Sequence, residues 1–419
     1  MRHKFSKAWI TGRKFLRAVF YTILAVLIIL NLFVILSGRF YLYKGVAYTY
    51  FAGKMSPDIY ERDYFYYSTV KRGETINWKR NGQRENVPLG KDEKRFMRSL
   101  HTKAFLVFRG DSILFEEYYD THKANTVSNS FSAAKTVVAL LVGIALEEGK
   151  IKSMDEPVGH YIPEFMVDDR RNITIRHLLM MSSGLDWEES GKNPLSTNAE
   201  SYYGSDLYGL VTRQKPIKKP GKTFIYQSGN SQLLAYVVEK ATGKTVSQYL
   251  EEKIWKKMGA EHDAYWSLDK KDGDEKAFCC LYASARDFGR LGKLILNKGK
   301  VGNEQVVPLW YMNEMFQIPP IGTEEGITNQ RYGLHIWHYF DGSHNIYYCR
   351  GIKGQYVISI PSDDLVIVRL GLERMDNITM PEKKNLFREE RQETERMVGH
   401  PKDFFTYINI GRRIAASTK

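Results

Sequence analysis

The stretch Ser132-Ala-Ala-Lys135-Thr-Val-Val-Ala-Leu-Leu-Val-Gly-Ile-Ala-Leu-Glu-Glu148 decides the fold. Its apolar residues surround the helical wheel instead of forming one stripe, so the helix it predicts is buried inside a large domain or a membrane. The Ser-Ala-Ala-Lys start and the Gly149 stop favour the domain. Upstream, Lys103–Phe108 and Ser112–Tyr119 flank Gly110-Asp111 and predict a β-hairpin. Downstream, Gln355–Ile360 and Leu365–Leu370 flank Pro361-Ser-Asp-Asp364 and predict a second. Between them, helices are expected over Ile173–Gly184, over Gln232–Ala241 with Gly243 as its stop, and over Ala283–Leu296. Strand-rich ends around a helical middle predict an α+β domain, its two ends meeting in one antiparallel sheet flanked by helices.

Further out, Ala18–Leu36 carries no charge and nearly spans a ~30 Å hydrocarbon layer at about 1.5 Å per residue. It is longer than the apolar core of a secretory signal and no A-x-A site follows, so one retained transmembrane helix is expected. The basic flank before it (Arg2, Lys4, Lys7, Arg13, Lys14, Arg17) should stay cytoplasmic, placing the rest outside. Tyr41, Tyr43, Tyr48 and Tyr50 suit the interfacial belt. The organisation expected is a basic tail (1–17), an anchor (18–37), a juxtamembrane lead-in (38–97), a catalytic domain (98–375), and a charged segment with a closing helix at Asp403–Ser417 (376–419).

The net charge is +13, and the tail alone supplies six of those charges. With no basic–aromatic interleaving or finger motif, nucleic acid is not an expected partner. Cys279, Cys280 and Cys349 show no C-x-x-C spacing and no neighbouring His cluster, so no metal or other cofactor is expected; the thiols read as small packing residues, their pairing open.

The chemistry starts at Ser132 and Lys135. Residues three apart share a helix face, so the hydroxyl and the amine should lie together, near free N–H groups that suit an oxyanion. A lysine walled by apolar groups titrates low and can take the serine's proton. Ser68-Thr-Val-Lys71 and Ser267-Leu-Asp-Lys270 repeat the spacing but open no apolar helix. The second feature is Tyr226-Gln-Ser228, behind Pro220-Gly221 and ahead of a helix; Tyr226 beside an ammonium could act as base with Lys135. Ser228-Gly229-Asn230 offers a rival, serine-based arrangement. The third is Arg350-Gly-Ile352-Lys353-Gly354-Gln355, where the N–H of Gln355 could join that of Ser132 as oxyanion donor.

In this order the segments resemble the β-lactamase-related serine hydrolases, a superfamily that includes class C β-lactamases, DD-peptidases, family VIII esterases and nylon-oligomer hydrolases, over roughly residues 100–375. The resemblance extends to Ile173–Trp187, Cys279–Arg290 and Gly354–Gly371, and leans towards the nylon-oligomer hydrolase and esterase branch. It implies a β-lactamase/transpeptidase-like fold with a mainly helical subdomain. It also implies catalysis by Ser132, Lys135 and Tyr226, with Ser228, Ile352, Lys353 and Gly354 binding a small-molecule or peptide-like ester or amide. Two departures, Ile352 in place of a cation (for which Lys353 or Arg350 could substitute) and Ser228 in place of an amide-binding Asn, weigh against a β-lactam substrate. The alternative is a membrane-anchored penicillin-binding or β-lactam-sensing protein that is acylated without turning over. Oligomeric state is left open.

Overall fold

Successive side chains of the strand Thr102–Arg109 (β1) point into two different cores: Leu106 and Phe108 into one, Phe105 and Val107 into the other. Strands covered on both faces read as nearly continuous apolar runs, which is why Gln355–Ile360 and Leu365–Gly371 show little alternation. The computed structural model describes residues 2–80, 87–380 and 388–417. Met1 of the basic tail and residues 381–387 of the charged C-terminal segment lie outside them.

The central sheet comprises β1, β2 (Ser112–Tyr118), β3 (Trp337–Phe340), β4 (Asn345–Gly351), β5 (Gln355–Ile360) and β6 (Leu365–Gly371). Its order is β3-β4-β5-β6-β1-β2, closed by the two-residue strand Lys79–Arg80. All pairs are antiparallel except the last, which is parallel. The ends of the domain meet at β6–β1, with Val368 opposite Leu106. Both hairpins and the α+β arrangement therefore match expectation.

Five longer helices matter here: α1 (Arg2–Ser37), α2 (Ala134–Glu147), α3 (Ser228–Thr242), α4 (Ala285–Leu296) and α5 (Lys402–Ser417). Helix α4 lies against one face of the sheet and α5 against the other, close enough that Gly292 meets Val366 and Gly411 meets Ile367 with no room for a Cβ. Twelve consecutive residues of α2 are buried, as its all-round apolar pattern requires. Helix α1 contains the stretch Arg13–Ser37, long and apolar enough to cross a membrane.

The structure differs from the sequence reading in several places. Ser132 lies in the short 3₁₀ turn Phe131–Ala133 that precedes α2. The helix expected over Ile173–Gly184 runs only Ile175–Leu179, because Met181 takes a positive φ of 54° and stops it; Gly184 belongs to the next turn. Residues 38–97 supply the strand Tyr67–Val70, the edge of a second sheet with Ala264–Ser267, Leu281–Ser284 and Val127–Asn129. Cys279 and Cys280 form a disulfide with each other, and Cys349 is a buried free thiol.

Candidate active site

The second sheet delivers the nucleophile. Val127–Asn129 ends in a tight turn where Ser130 N–H donates to Leu281 O (2.9 Å) and Phe131 N–H to Asn129 Oδ1 (2.8 Å). Phe131 holds φ +45°, a left-handed conformation that costs a bulky residue about 1–3 kcal/mol and persists only where surroundings enforce it. Here Asn129 and the β4 edge enforce it: Gly351 lies directly on Ser130 O and Phe131 Cβ, where no side chain would fit.

One helical turn later, Lys135 is buried with its amine 3.1 Å from Ser132 Oγ, 3.0 Å from Ser228 Oγ and 2.6 Å from Phe278 O. The donors in this cluster have a direction. Phe278 O only accepts. Ser228 donates its hydroxyl proton to Glu189 Oε1 (2.6 Å), so it too must accept from Lys135. Glu189 Oε2 further receives Ser228 N–H (2.7 Å) and Trp187 Nε1–H (2.8 Å). A neutral amine has two protons and one lone pair; with both protons committed, the lone pair is left for Ser132. Burial pushes the Lys135 amine down to about 8, Glu189 pulling the other way, so a usable fraction is neutral near physiological pH.

Tyr226 is at the same place. Its ring centroid is 5.3 Å from the Lys135 nitrogen, and its hydroxyl interacts with that of Ser132. Burial, then the Glu189 charge, push its phenol well above the ordinary value, and Ser132 and Arg350 offset them only in part. The raised phenol and the lowered amine set the two members of the expected Tyr226/Lys135 pair apart in the direction that favours the amine as proton acceptor. Buried His335 is pushed down to about 3 by burial and is fastened to Ser231 Oγ and Leu179 O, so it supports the site from behind. The rival Asn230 side chain points away, bonded to Ser183 Oγ (2.5 Å).

The third segment is displaced from its expected register. Ile352–Gly354 forms the turn between β4 and β5, and the cavity is lined by Arg350, Gly351 and Ile352. Lys353, Gly354 and Gln355 do not line it. The Gln355 side chain is buried with its amide on Gly371 (Nε2 to O, 2.6 Å) and braces the sheet, and the residue lies outside the cavity wall where its N–H was expected to serve as oxyanion donor. On this side of the cavity the backbone beside Ser132 is the Gly351–Ile352 edge, with Gly351 packed on Ser130 O and Phe131 Cβ.

The cavity encloses about 540 Å³ above Ser132. Its wall includes Arg350 of the third segment and side chains that the sequence reading missed: Glu189, Phe278, Cys279, Trp337, Arg331 and Arg374. Arg350 stacks on Trp337, its guanidinium 3.5 Å from the ring centroid.

A serine hydroxyl held against a buried amine that titrates near 8, beneath an open cavity, defines a nucleophilic hydrolase site. The Beta-lactamase family model matches residues 91–371, and the chain belongs to that family, as a β-lactamase-related serine hydrolase. It is 27% identical to a 6-aminohexanoate-dimer hydrolase of Paenarthrobacter ureafaciens, over 64% of this chain and 72% of the relative. It is 29% identical to a teichoic acid D-alanine hydrolase of Staphylococcus aureus (strain MRSA252), over 42% of this chain and 41% of the relative. A solved structure from Bacillus anthracis, provisionally named a 6-aminohexanoate-dimer hydrolase, superposes with TM-score 0.68 at 20% identity. That match covers 88% of this chain and 94% of the other, and shows the shared fold.

Proposed function

We propose that the protein hydrolyses an ester or amide through an acyl-enzyme on Ser132. The observation that carries this is the Lys135 amine, its protons committed to Phe278 O and Ser228 and its remaining position 3.1 Å from Ser132 Oγ. Neutral Lys135 accepts the serine proton as Oγ attacks the substrate carbonyl. The N–H groups of Ser132 and Ile352 hold the oxyanion. The amine, relayed by the Tyr226 hydroxyl, returns the proton to the leaving alcohol or amine. Water then attacks the acyl carbonyl, giving its proton to Lys135, and Ser132 leaves with that proton.

The charges of the cavity favour a substrate bearing an anion. Glu325 pairs with Arg331 (2.7 Å), Glu324 with Lys218 (3.3 Å), and Glu189 is engaged by Ser228 and Trp187. Arg350 and Arg374 have no carboxylate in ion-pair range among the described residues; they donate to Gly399 O, Met375 O and Asn377 Oδ1. Burial and then the neighbouring Arg350 charge lower the Arg374 pKa, so an incoming carboxylate or phosphate would relieve that repulsion. Arg350 thus takes up the cationic duty that Ile352 cannot.

In this reading α1 is a retained single-pass anchor, with the basic tail cytoplasmic and the catalytic domain on the periplasmic or extracellular side. The relatives' names, both hydrolases, support turnover over a sensing role. The test is p-nitrophenyl butyrate hydrolysis by the full-length chain. Repeated turnover, lost in Ser132→Ala, is expected; a single burst of one equivalent would establish the sensing alternative.

A further inference from the structure

We infer that the cavity is held at the surface of a lipid bilayer, and that the substrate is an amphiphile whose ester or amide group lies in the headgroup layer. This rests on the hydrolase reading above and adds where the substrate resides.

The first observation is the join between α1 and the domain. A tether would need only a flexible linker, but the chain has none here. Helix α1 ends in a closed turn: Gly38 takes φ +68°, its N–H bonds to Ile35 O (3.3 Å), and Arg39 N–H bonds to Val34 O (3.1 Å). The helix Tyr41–Tyr48 begins two residues later, and Tyr43 OH donates back to Asn31 Oδ1 of α1 (2.7 Å).

The second observation is what this join grips. Arg39 donates to Leu195 O (2.9 Å), and the buried Tyr41 hydroxyl donates to Pro194 O (3.1 Å). Those residues lead into the helix Thr197–Tyr203, whose Asn198, Ala199, Tyr202 and Tyr203 wall the cavity. Gly45 of the helix Tyr41–Tyr48 packs beside the Tyr203 ring, near enough that a Cβ added there would be in van der Waals contact with it. The cavity wall is therefore bolted to the end of a helix that can span a membrane.

The third observation is the surface between them. Tyr41 and Tyr48, expected in an interfacial belt, are instead buried and half-buried against the domain. Phe40, Tyr43, Tyr50, Phe51 and Met55 stay exposed, Phe51 at 86% and Met55 at 83%. Ser56 and Pro57 follow immediately and line the cavity. A collar of large apolar and tyrosine side chains, continuous with the end of an apolar helix and leading to the cavity mouth, matches the chemistry of the headgroup–acyl boundary.

The test uses full-length protein in phosphatidylcholine–phosphatidylglycerol vesicles. Phe51→Trp and Met55→Trp should add fluorescence that lipid brominated near the headgroup quenches. Added fluorescence that aqueous iodide quenches instead, with brominated lipid silent, overturns the seat. The second arm compares Phe51→Asp/Met55→Asp with the parent on two esters. Hydrolysis of a long-chain umbelliferyl ester dissolved in the vesicles should fall at least about tenfold, because two exposed apolar side chains no longer enter the headgroup layer, while soluble p-nitrophenyl butyrate hydrolysis stays unchanged. Equal rates for variant and parent on both substrates overturn the inference about the substrate. If neither protein cleaves either ester, the hydrolase reading fails, and the quenching still decides the seat.

Discussion

Replacing Glu189 by Gln keeps the shape of the side chain and removes one negative charge from the proton-transfer chain. Two successive hydrogen bonds, Lys135 Nζ to Ser228 Oγ (3.0 Å) and Ser228 Oγ to Glu189 Oε1 (2.6 Å), link the carboxylate to the amine. A unit-charge pair roughly 5 Å apart, at an effective dielectric near 20, is worth about 3 kcal/mol, or about two pKa units as an upper bound. The carboxylate raises the Lys135 pKa against the burial that lowers it to about 8. Its removal should move that pKa down by roughly one to two units. The assay is the pH profile of kcat/KM on p-nitrophenyl butyrate, whose acid limb reports the free enzyme's base. In the parent, roughly a tenth of an amine titrating near 8 is neutral at pH 7, so the rate should climb with pH through 7–9 and level off above. In Glu189→Gln the same limb should shift towards pH 6–7, so at pH 6 the variant retains a larger share of its own plateau rate than the parent does. A limb that stays in place, or moves to higher pH, would refute the assignment of Lys135 as the base that Glu189 tunes.

Tyr226→Phe, which removes a proton relay but leaves the amine, should lower kcat by about 10²-fold with the acid limb unmoved; a loss of the limb itself would make the tyrosine the base. Arg350→Gln should raise KM for an ester bearing a free carboxylate by about tenfold or more and leave its neutral methyl ester nearly unaffected, measured by parallel initial-rate curves. Asn129→Ala deletes the acceptor of the Phe131 N–H bond. It should destabilise the nucleophile turn by about 1–3 kcal/mol, seen as a lowered thermal midpoint together with slower acylation.

Much of the fold is local in origin and could be read directly. The hairpins around Gly110-Asp111 and Pro361–Asp364 rest on turn chemistry, and the burial of α2 rests on its all-round apolar pattern. Ser132 and Lys135 come together for the same reason, since one helical turn sets their separation. The third segment was misread because Lys353-Gly354 mimics a strand motif by its letters, whereas the chain turns there and the strand that meets the nucleophile ends at Gly351. Gly351, three residues ahead of Gly354 and free of any turn duty of its own, was the available signal. Glu189 was missed because it sits in an irregular loop, although the acids of Asp186-Trp-Glu-Glu189 directly continue the quoted Ile173–Trp187 stretch. The strands Ala264–Ser267 and Leu281–Ser284 are short, and their pairing is set by partners from distant segments. The grip of Arg39 and Tyr41 on Pro194 and Leu195 spans more than 150 residues and leaves no local trace.

Peptide mapping by mass spectrometry after treatment with a fluorophosphonate tests the central claim most directly. The account predicts one covalent adduct, on the peptide carrying Ser132, absent from Ser132→Ala, with ester hydrolysis lost in the same variant and its thermal midpoint retained. An adduct on another residue, or hydrolysis that persists in a folded Ser132→Ala protein, would contradict it.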